Sequence, residues 1–425
     1  MKTAFTNCIL LDGTEHMQPE TGLTVLVDGE KITAVTRDAV PDEYAAVDLG
    51  GAYLMPGLVN LHVHLPAGGK PKKKKSDPAK LVKLLTGTAV TRRIVAGVCE
   101  ASARMQLYSG VTTIRTVGGV LDIDSRLRDR IRAGKTVGPR ILASDMAVSV
   151  PGGHMVYSLA YGAESADEAK AYVTKIAAGK PDWIKLMITG GVLDARVKGE
   201  PGEVKMPAEY VRAACEEAHR LGLRVAAHVE SPAGVRIALE NGVDSIEHGA
   251  MPDEEILRLF RERGACLVAT LSPALPYALF DRSVSHASEI EQYNGKVVFE
   301  GIIECAKQCL AAGIPVGLGT DTGCPYVTHY DMWREVRYFH TWCGVSNAFA
   351  LHTATLRGAQ IAGIADETGS VEAGKCADLL VTKENPLEDL IALRTPQMVV
   401  ARGRILAQPK VKKMPQVEGE LDRFL

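Results

Sequence analysis

The chain has no excess of charge of either sign and no long apolar run. Its 425 residues include 49 Lys and Arg against 51 Asp and Glu, which gives a formal net charge of -2. Proteins that bind nucleic acids need a basic excess, so this balance argues against a nucleic-acid partner. The absence of a run of about 18 apolar residues predicts no transmembrane helix and no membrane partner.

Cysteine pairing and a secretory leader are also absent. The nine cysteines are scattered, odd in number and form no CxxC motif. This usage predicts reduced thiols in a cytoplasmic protein rather than a disulfide framework. The first twenty residues contain no long apolar stretch, so a secretory signal is not expected.

Between residues 57 and 365, short apolar runs alternate with helical stretches. Eight strand–helix units in about 310 residues predict an α/β fold of the (β/α)8 TIM-barrel type, with a doubly wound sheet as the alternative. Residues 1–56 and 366–425 instead favour strands, and we expect them to form one small β-sandwich domain built from both termini. The predicted helices cover 89–109, 122–133, 165–179, 207–221, 232–241, 253–264, 295–312, 328–342 and 347–364.

One lysine-rich stretch, KPKKKK at 70–75, follows the first predicted barrel strand. A solvated loop is the simpler interpretation of such a charge run. The alternative is a loop at the rim of the active site that attracts anionic groups of a substrate. Both interpretations stay open at this point.

Histidines and an aspartate stand at the ends of several predicted barrel strands. His62 and His64 lie two residues apart and so share one side of the first strand, while His228, His248 and Asp321 end the fifth, sixth and eighth. Barrels of this type build active sites at these strand ends. One such histidine is more often structural, but their joint placement favours a site for a divalent ion, most often zinc.

The fourth barrel strand contributes Lys185, within the run DWIKLM. A protonated amine has no lone pair for a metal, and burying it costs free energy unless it is paired. One solution is carbamylation by CO2, which converts the amine into a carboxylate able to bridge two ions. The other is an ion pair with a carboxylate such as that of Asp321.

With these residues in this order, the chain resembles the amidohydrolase superfamily over nearly its whole length. The segment VEAGKCADLLV near the carboxyl end and the split β domain are also similar to that family. The segments DWIKLMITGG, PGGH, IEHG and GTDTG most resemble its imidazolonepropionase-related, prolidase-like dipeptidases, which act on Xaa-Pro or Xaa-Arg.

The resemblance implies a binuclear metal centre, expected to hold zinc. Its implied ligands are His62, His64 and Asp321 for the more buried ion, His228 and His248 for the more exposed ion, and a carboxylated Lys185 that bridges both together with a hydroxide. The hydroxide would attack an amide bond, and Asp321 would carry its proton to the leaving amine. By the same resemblance, His154 of the PGGH segment would be catalytic as well, hydrogen-bonding the substrate carbonyl and its developing oxyanion.

The substrate contacts are less defined. Gly190 and Gly191 permit close approach of backbone to substrate, or simply form a turn. Glu230 stands where relatives of the subgroup carry a tyrosine that helps to bind the substrate's α-carboxylate, and a carboxylate there would repel that group. Glu230 therefore indicates a cationic or hydrogen-donating substrate group, or it is neutralised by a neighbour. Arg115 and Arg196 could bind the substrate carboxylate, or form structural pairs.

The sequence favours a binuclear metal-dependent amidohydrolase that cleaves an amide or peptide bond of a dipeptide or an N-acyl amino acid. The first alternative is a mononuclear deaminase or cyclic-amide hydrolase of the same superfamily, although such members usually lack the lysine found here at Lys185. A non-enzymatic scaffold is the second alternative, but scaffolds typically lose ligands and all six are present. Assembly into a homo-oligomer is left open.

Overall fold

Strands from both ends of the chain join in one sheet. The computed structural model describes residues 2–71 and 77–425. The strands of the amino-terminal part are β1 Lys2–Leu10, β2 Glu20–Asp28, β3 Lys31–Thr36, β4 Ala45–Asp48 and β5 Tyr53–Pro56. The barrel and its extension contain β6 Leu58–Val63, β7 Val111–Thr116, β8 Arg140–Leu142, β9 Ala147–Ser149, β10 Ala160–Gly162, β11 Trp183–Met187, β12 Arg224–Val229, β13 Ser245–His248, β14 Cys266–Ala269 and β15 Val316–Leu318. The carboxyl-terminal strands are β16 Leu379–Thr382, β17 Met398–Ala401 and β18 Arg404–Ala407.

The terminal sheet has the order β18-β17-β16-β5-β1-β2-β3, with β4 beside β1. The two ends of the chain meet where β5 pairs antiparallel with β16. The apolar side chains Val25, Val27 and Ile32 share one buried cluster with Leu379 and Val381. Burial of apolar surface therefore holds together segments that lie about 350 residues apart, which local propensity could not do.

Eight parallel strands, β6, β7, β8 and β11 to β15, form the barrel, and β9 and β10 extend its wall after β8. The amides of Asp182 and Trp183 donate to the carbonyl oxygen of Ala143, which links β8 to β11. On the other side, a Cβ added to Gly319 would lie 2.3 Å from the Cβ of His62, so glycine permits the end of β15 to pack directly against β6. The fold class predicted from the sequence is confirmed; the boundaries at 57 and 365 stay a prediction.

Helices cover the outside of the barrel. They are α1 Pro78–Thr86, α2 Ala89–Tyr108, α3 Ile123–Arg132, α4 Ala166–Ala177, α5 Ala208–Arg220, α6 Pro232–Glu240, α7 Glu254–Arg263, α8 Leu271–Leu279, α9 Arg282–Ser285, α10 Glu289–Ala311, α11 Met332–Cys343, α12 Asn347–His352, α13 Gly358–Ala362 and α14 Pro415–Leu421, with a π-helix at Thr353–Arg357 and 3-10 turns at Leu390–Arg394 and Asp422–Phe424. None of the helices in the described part of the chain combines the length and apolarity that a bilayer crossing requires.

Several helices differ from the sequence prediction, among them α9 and α14, which lie outside all of the predicted helices. α1 was not predicted, and α10 begins six residues earlier than predicted, at a capping box in which the Ser288 hydroxyl accepts from the Glu291 amide (3.2 Å) while the Glu291 carboxylate accepts from the Ser288 amide (2.7 Å). α8, which contains Pro276, also lies outside the predicted helices. Its first amides, those of Leu271 and Ser272, donate to the carboxylate of Glu335 at 2.6 and 2.8 Å, so its cap comes from a distant helix.

Candidate metal centre

The two histidines at the end of β6 direct one nitrogen each to the same carboxylate. The Nε2 atoms of His62 and His64 lie 3.6 and 3.2 Å from Oδ1 of Asp321. Their other nitrogens are held elsewhere: Nδ1 of His62 lies 2.8 Å from Glu247 Oε2, and Nδ1 of His64 lies 2.8 Å from the carbonyl oxygen of Gly118. Acceptors placed in this way orient metal-binding histidines and leave Nε2 for the ion.

Two further histidines complete the cluster. The rings of His228 and His248 are 4.7 Å apart between centroids, and His248 is 4.8 Å from His62. Nδ1 of His248 lies 2.6 Å from the hydroxyl oxygen of Thr270, and Nε2 of His228 lies 3.2 Å from the carbonyl oxygen of Gly190. The ends of β6, β12 and β13 therefore bring their imidazoles into one continuous group.

Two sets of donor atoms in this group are close enough to share an ion. In each set the ligand atoms lie within 4.8 Å of one another; the sets are His62, His248 and Asp321, and His228, Glu230 and His248. Imidazole nitrogens with carboxylate oxygens are the donors that zinc takes in catalytic sites. The residues present thus fit divalent ions, as expected from the sequence, and Glu230 is an unexpected member.

The backbone at two of these donors is strained. His248 has a φ of 66° and Asp321 a φ of 54°, which is the left-handed region that residues other than glycine rarely adopt. Strain of this kind persists only where surrounding structure enforces it, and it is common at functional sites. The amide of Asp321 donates to the carbonyl oxygen of His62 at 2.9 Å, which holds this residue in place.

Lys185 lies completely buried in β11, among these donors. Its Nζ has no hydrogen-bond partner within the described residues, so the direct pair with Asp321, one of the two alternatives for this lysine, is not formed. Burial lowers the pKa of Lys185 to about 8, with Arg115 acting in the same direction against Glu247 and Asp321. An amine with this pKa is partly neutral at pH 7 to 8, which is the form that reacts with CO2.

The charges of the donors suit metal binding. Burial lowers the pKa of His62, His228 and His248, each of which has Lys185 as a positive neighbour, so their imidazoles stay neutral. For Asp321, burial acts to raise the pKa, but His62, His64 and Lys185 outweigh it and hold the pKa well below its usual range. Neutral imidazoles and an ionised carboxylate are the ligating forms of these side chains.

Arg115 lies beneath the site and does not reach its mouth. It is completely buried, and its Nε donates to the carbonyl oxygen of Leu61 (2.8 Å), while Nη1 and Nη2 donate to Ser245 Oγ (3.3 Å) and Glu247 Oε1 (2.6 Å). The substrate contact proposed for Arg115 is therefore wrong, because its guanidinium N–H groups donate hydrogen bonds to residues inside the barrel. The structural pairing is the correct alternative.

His154 lies beside the histidine cluster. Its ring stacks on that of His228, with centroids 4.2 Å apart and planes 7° from parallel. Its Nδ1 lies 2.5 Å from Oδ2 of Asp194, which also accepts from the amide of Gly191 at 3.0 Å. A Cβ added to Gly191 would lie 3.4 Å from Cε1 of His154 and 3.5 Å from both Cε1 of His228 and Oε2 of Glu230. The structure therefore brings His154 and Gly191 to the donor group.

Of the remaining predicted substrate contacts, Glu230 lies at the donor group, whereas Arg196 lies in an exposed loop. Oε2 of Glu230 accepts from the amide of Val192 at 3.1 Å, and burial, followed by Asp321 and Asp194, raises the pKa of Glu230 to about 8. Arg196 is exposed in the loop after β11, so its substrate role stays a prediction. Of the lysine-rich stretch, Lys70 is exposed and positions 72–75 lie outside the described residues.

Three side chains important to the site were not singled out from the sequence. The carboxylate of Glu247 contacts both the imidazole of His62 and the guanidinium of Arg115. The carboxylate of Asp194 contacts Nδ1 of His154. The hydroxyl of Thr270 contacts Nδ1 of His248. The motif IEHG contains Glu247 directly before His248, but neighbouring residues of a strand normally point to opposite faces. The positive φ at His248 breaks that alternation, and no sequence signal reveals it.

Comparisons with known proteins identify the family of this chain. Residues 53–406 match the amidohydrolase family. This chain belongs to that family, and the superfamily predicted from its motifs is confirmed. Family membership makes it a hydrolase of amide-type bonds.

This chain is also similar to individual proteins of known structure or function. A candidate prolidase from Bifidobacterium longum has a similar structure, with a TM-score of 0.88 and 36% identity over 99% of this chain and 98% of that one. A Xaa-Pro dipeptidase with methionine bound in its active site has a TM-score of 0.82 and 28% identity over 96% of this chain and 100% of that one. In sequence, ochratoxinase of Aspergillus niger is 27% identical, covering 81% of this chain and 73% of its own length. Imidazolonepropionase of Cupriavidus necator is 25% identical, covering 94% of both chains.

Proposed function

We propose that this protein is a binuclear metal-dependent hydrolase that cleaves the amide bond of a dipeptide or an N-acyl amino acid. The likeness to a Xaa-Pro dipeptidase and to ochratoxinase supports this substrate class. The observation that carries the proposal is the unpartnered, buried amine of Lys185 among four imidazoles and the Asp321 carboxylate. A mononuclear deaminase does not need that amine.

Lys185 becomes a ligand when it is carboxylated. Its neutral amine attacks the carbon of CO2, an N–C bond forms, one C=O π pair becomes a carboxylate, and the nitrogen loses a proton to solvent. The product would replace the buried ammonium by a carboxylate near His62, His228 and His248, and this carboxylate could join them as a ligand of divalent ions. Desolvation of the lysine, which holds its pKa near 8, therefore favours this reaction.

Two groups of the protein act on the reacting atoms. Divalent ions bound by these residues would supply an activated water and a Lewis acid for the scissile carbonyl. Asp321, at the junction of His62 and His64, accepts the proton of the attacking water and passes it to the leaving nitrogen. His154, whose Nδ1 is held by Asp194, would hydrogen-bond the carbonyl oxygen through Nε2 as negative charge develops there.

The test combines metal analysis with a turnover screen. Protein purified with zinc and bicarbonate is measured for metal content and assayed against dipeptide and N-acyl amino acid libraries. We expect about two ions per chain and amide hydrolysis that stops on chelation and returns with zinc. One ion per chain with deamination of ring substrates would favour the mononuclear alternative. Turnover that survives complete metal removal would overturn the proposal.

A further inference from the structure

Glu230 directly follows β12 and stands two residues after His228, just as His64 directly follows β6 and stands two residues after His62. In His62-Val63-His64 the two side chains share one side of the strand and meet at Asp321. In His228-Val229-Glu230 the spacing is the same, so the carboxylate stands on the same side as the imidazole of His228. Both strands thus end in a pair of potential metal donors.

The geometry of Glu230 matches that of a ligand. Its carboxylate oxygen lies within 4.8 Å of ligand nitrogens of both His228 and His248. The oxygen Oε2 accepts a hydrogen bond from the amide of Val192 at 3.1 Å, which fixes the carboxylate beside the two imidazoles. A carboxylate that is held by a backbone hydrogen bond and has an oxygen close to two imidazole nitrogens has the arrangement of a supported metal ligand.

The backbone of Glu230 is held firmly. Its amide donates to the hydroxyl of Thr189 at 3.1 Å. Gly202 packs against it so closely that an added Cβ would lie 2.4 Å from the carbonyl carbon of Glu230. The carboxylate is therefore set in place by the loops after β11 and β12 before any ion or substrate arrives, which lowers the entropic cost of ligation.

We propose that Glu230 is a direct ligand of the more exposed metal ion, together with His228 and His248. The inference rests on the proposed binuclear centre, to which it adds a seventh protein ligand. Two imidazoles and one glutamate are also a known catalytic zinc set that leaves a fourth position open. Glu230 would thus bind this ion even while Lys185 is not carboxylated. The positive charge of the ion would also reduce the repulsion between the Glu230 carboxylate and an anionic substrate.

The test measures zinc binding without substrate. Wild type, Glu230→Gln and Glu230→His are stripped of metal, and zinc affinity and stoichiometry are measured by competition with a chromophoric chelator. Glu200→Gln, which changes an exposed carboxylate in the neighbouring loop, is the matched control. Gln keeps the size of the side chain and the acceptor for Val192, so the fold is retained; thermal unfolding of the metal-free proteins checks this.

We expect Glu230→Gln to bind the first zinc as wild type does and the second at least about tenfold more weakly. Glu230→His, which restores a neutral donor, should recover part of that loss, and Glu200→Gln should bind both ions normally. If Glu230→Gln binds both ions with wild-type affinity, Glu230 is not a ligand, although the proposed hydrolase is untouched. If wild type itself binds no zinc, the proposed function fails together with the inference.

Discussion

Arg115 and Glu247 form a completely buried ion pair, with 2.6 Å between Nη2 and Oε1, directly behind the imidazole of His62. The other oxygen of Glu247 lies 2.8 Å from Nδ1 of that imidazole. The guanidinium also stacks on the ring of Trp183 at 4.6 Å. One carboxylate therefore neutralises a cation in the barrel interior and orients the imidazole of His62 at its mouth. If His62 is a metal ligand, as we propose, Glu247 affects both stability and metal affinity.

Glu247→Ala should lower the free energy of unfolding by about 3–5 kcal/mol, because it leaves the Arg115 guanidinium buried without its counter-ion. Urea unfolding of the metal-free protein measures this. Glu262→Ala removes an exposed partner of Arg258 and serves as control, with no measurable change expected. A Glu247→Ala protein as stable as wild type would show that Arg115 does not depend on this pair.

Lys185→Ala should abolish bridging of the two ions and reduce kcat by at least about a thousandfold, since activation of water by the metals would be lost. Metal content should fall below two ions per chain. The control is Lys175→Ala. Lys175 lies on α4, away from the site, with its ammonium over the ring of Tyr161. Wild-type turnover in Lys185→Ala would contradict the carbamate.

His154→Asn should reduce kcat by about 10²–10³-fold while both ions remain bound, because the lost group donates to the oxyanion and does not hold metal. Steady-state kinetics with metal analysis separate the two effects. His219, whose Nε2 lies 2.9 Å from Asp244, offers a second histidine–aspartate pair outside the site, so His219→Asn is a matched control. Unchanged kinetics in His154→Asn would make His154 a packing residue.

When zinc and CO2 are added to the metal-free protein, the rate at which activity returns should depend on pH through the protonation of Lys185. Only the neutral amine attacks CO2, and the pKa of about 8 means that its fraction rises almost tenfold per pH unit below 8 and levels off above it. At constant dissolved CO2 and zinc, the rate at which activity returns should therefore rise with pH through about 8. The measurement is the initial rate of reactivation between pH 6.5 and 9. A rate that falls or stays constant over this range would show that the amine does not limit recovery.

The sequence alone predicted much of the site because metal donors obey simple local rules. His62 and His64 share a strand face, and His228, His248 and Asp321 stand where apolar runs end, so a barrel topology is enough to bring them together. Their convergence on one group of donors follows that expectation.

Other features required the tertiary structure, because they depend on contacts between distant segments. Glu335 caps α8 from α11, which explains why a proline-containing segment outside the predicted helices is helical. Arg115 lies at a strand end like the ligands, yet packing against Leu61, Ser245 and Glu247 turns it into the barrel interior.

The sequence by itself determined the fold class, the family and the candidate ligands, because hydrophobic periodicity and the types of metal-donor side chain can be recognised in short stretches of chain. Only the tertiary structure decided that Arg115 is structural, that Asp194 orients His154, and that Glu230 joins the donors of His228 and His248. These are distances between side chains on different strands and loops, and they are set by how the barrel closes and by the left-handed backbone at His248 and Asp321.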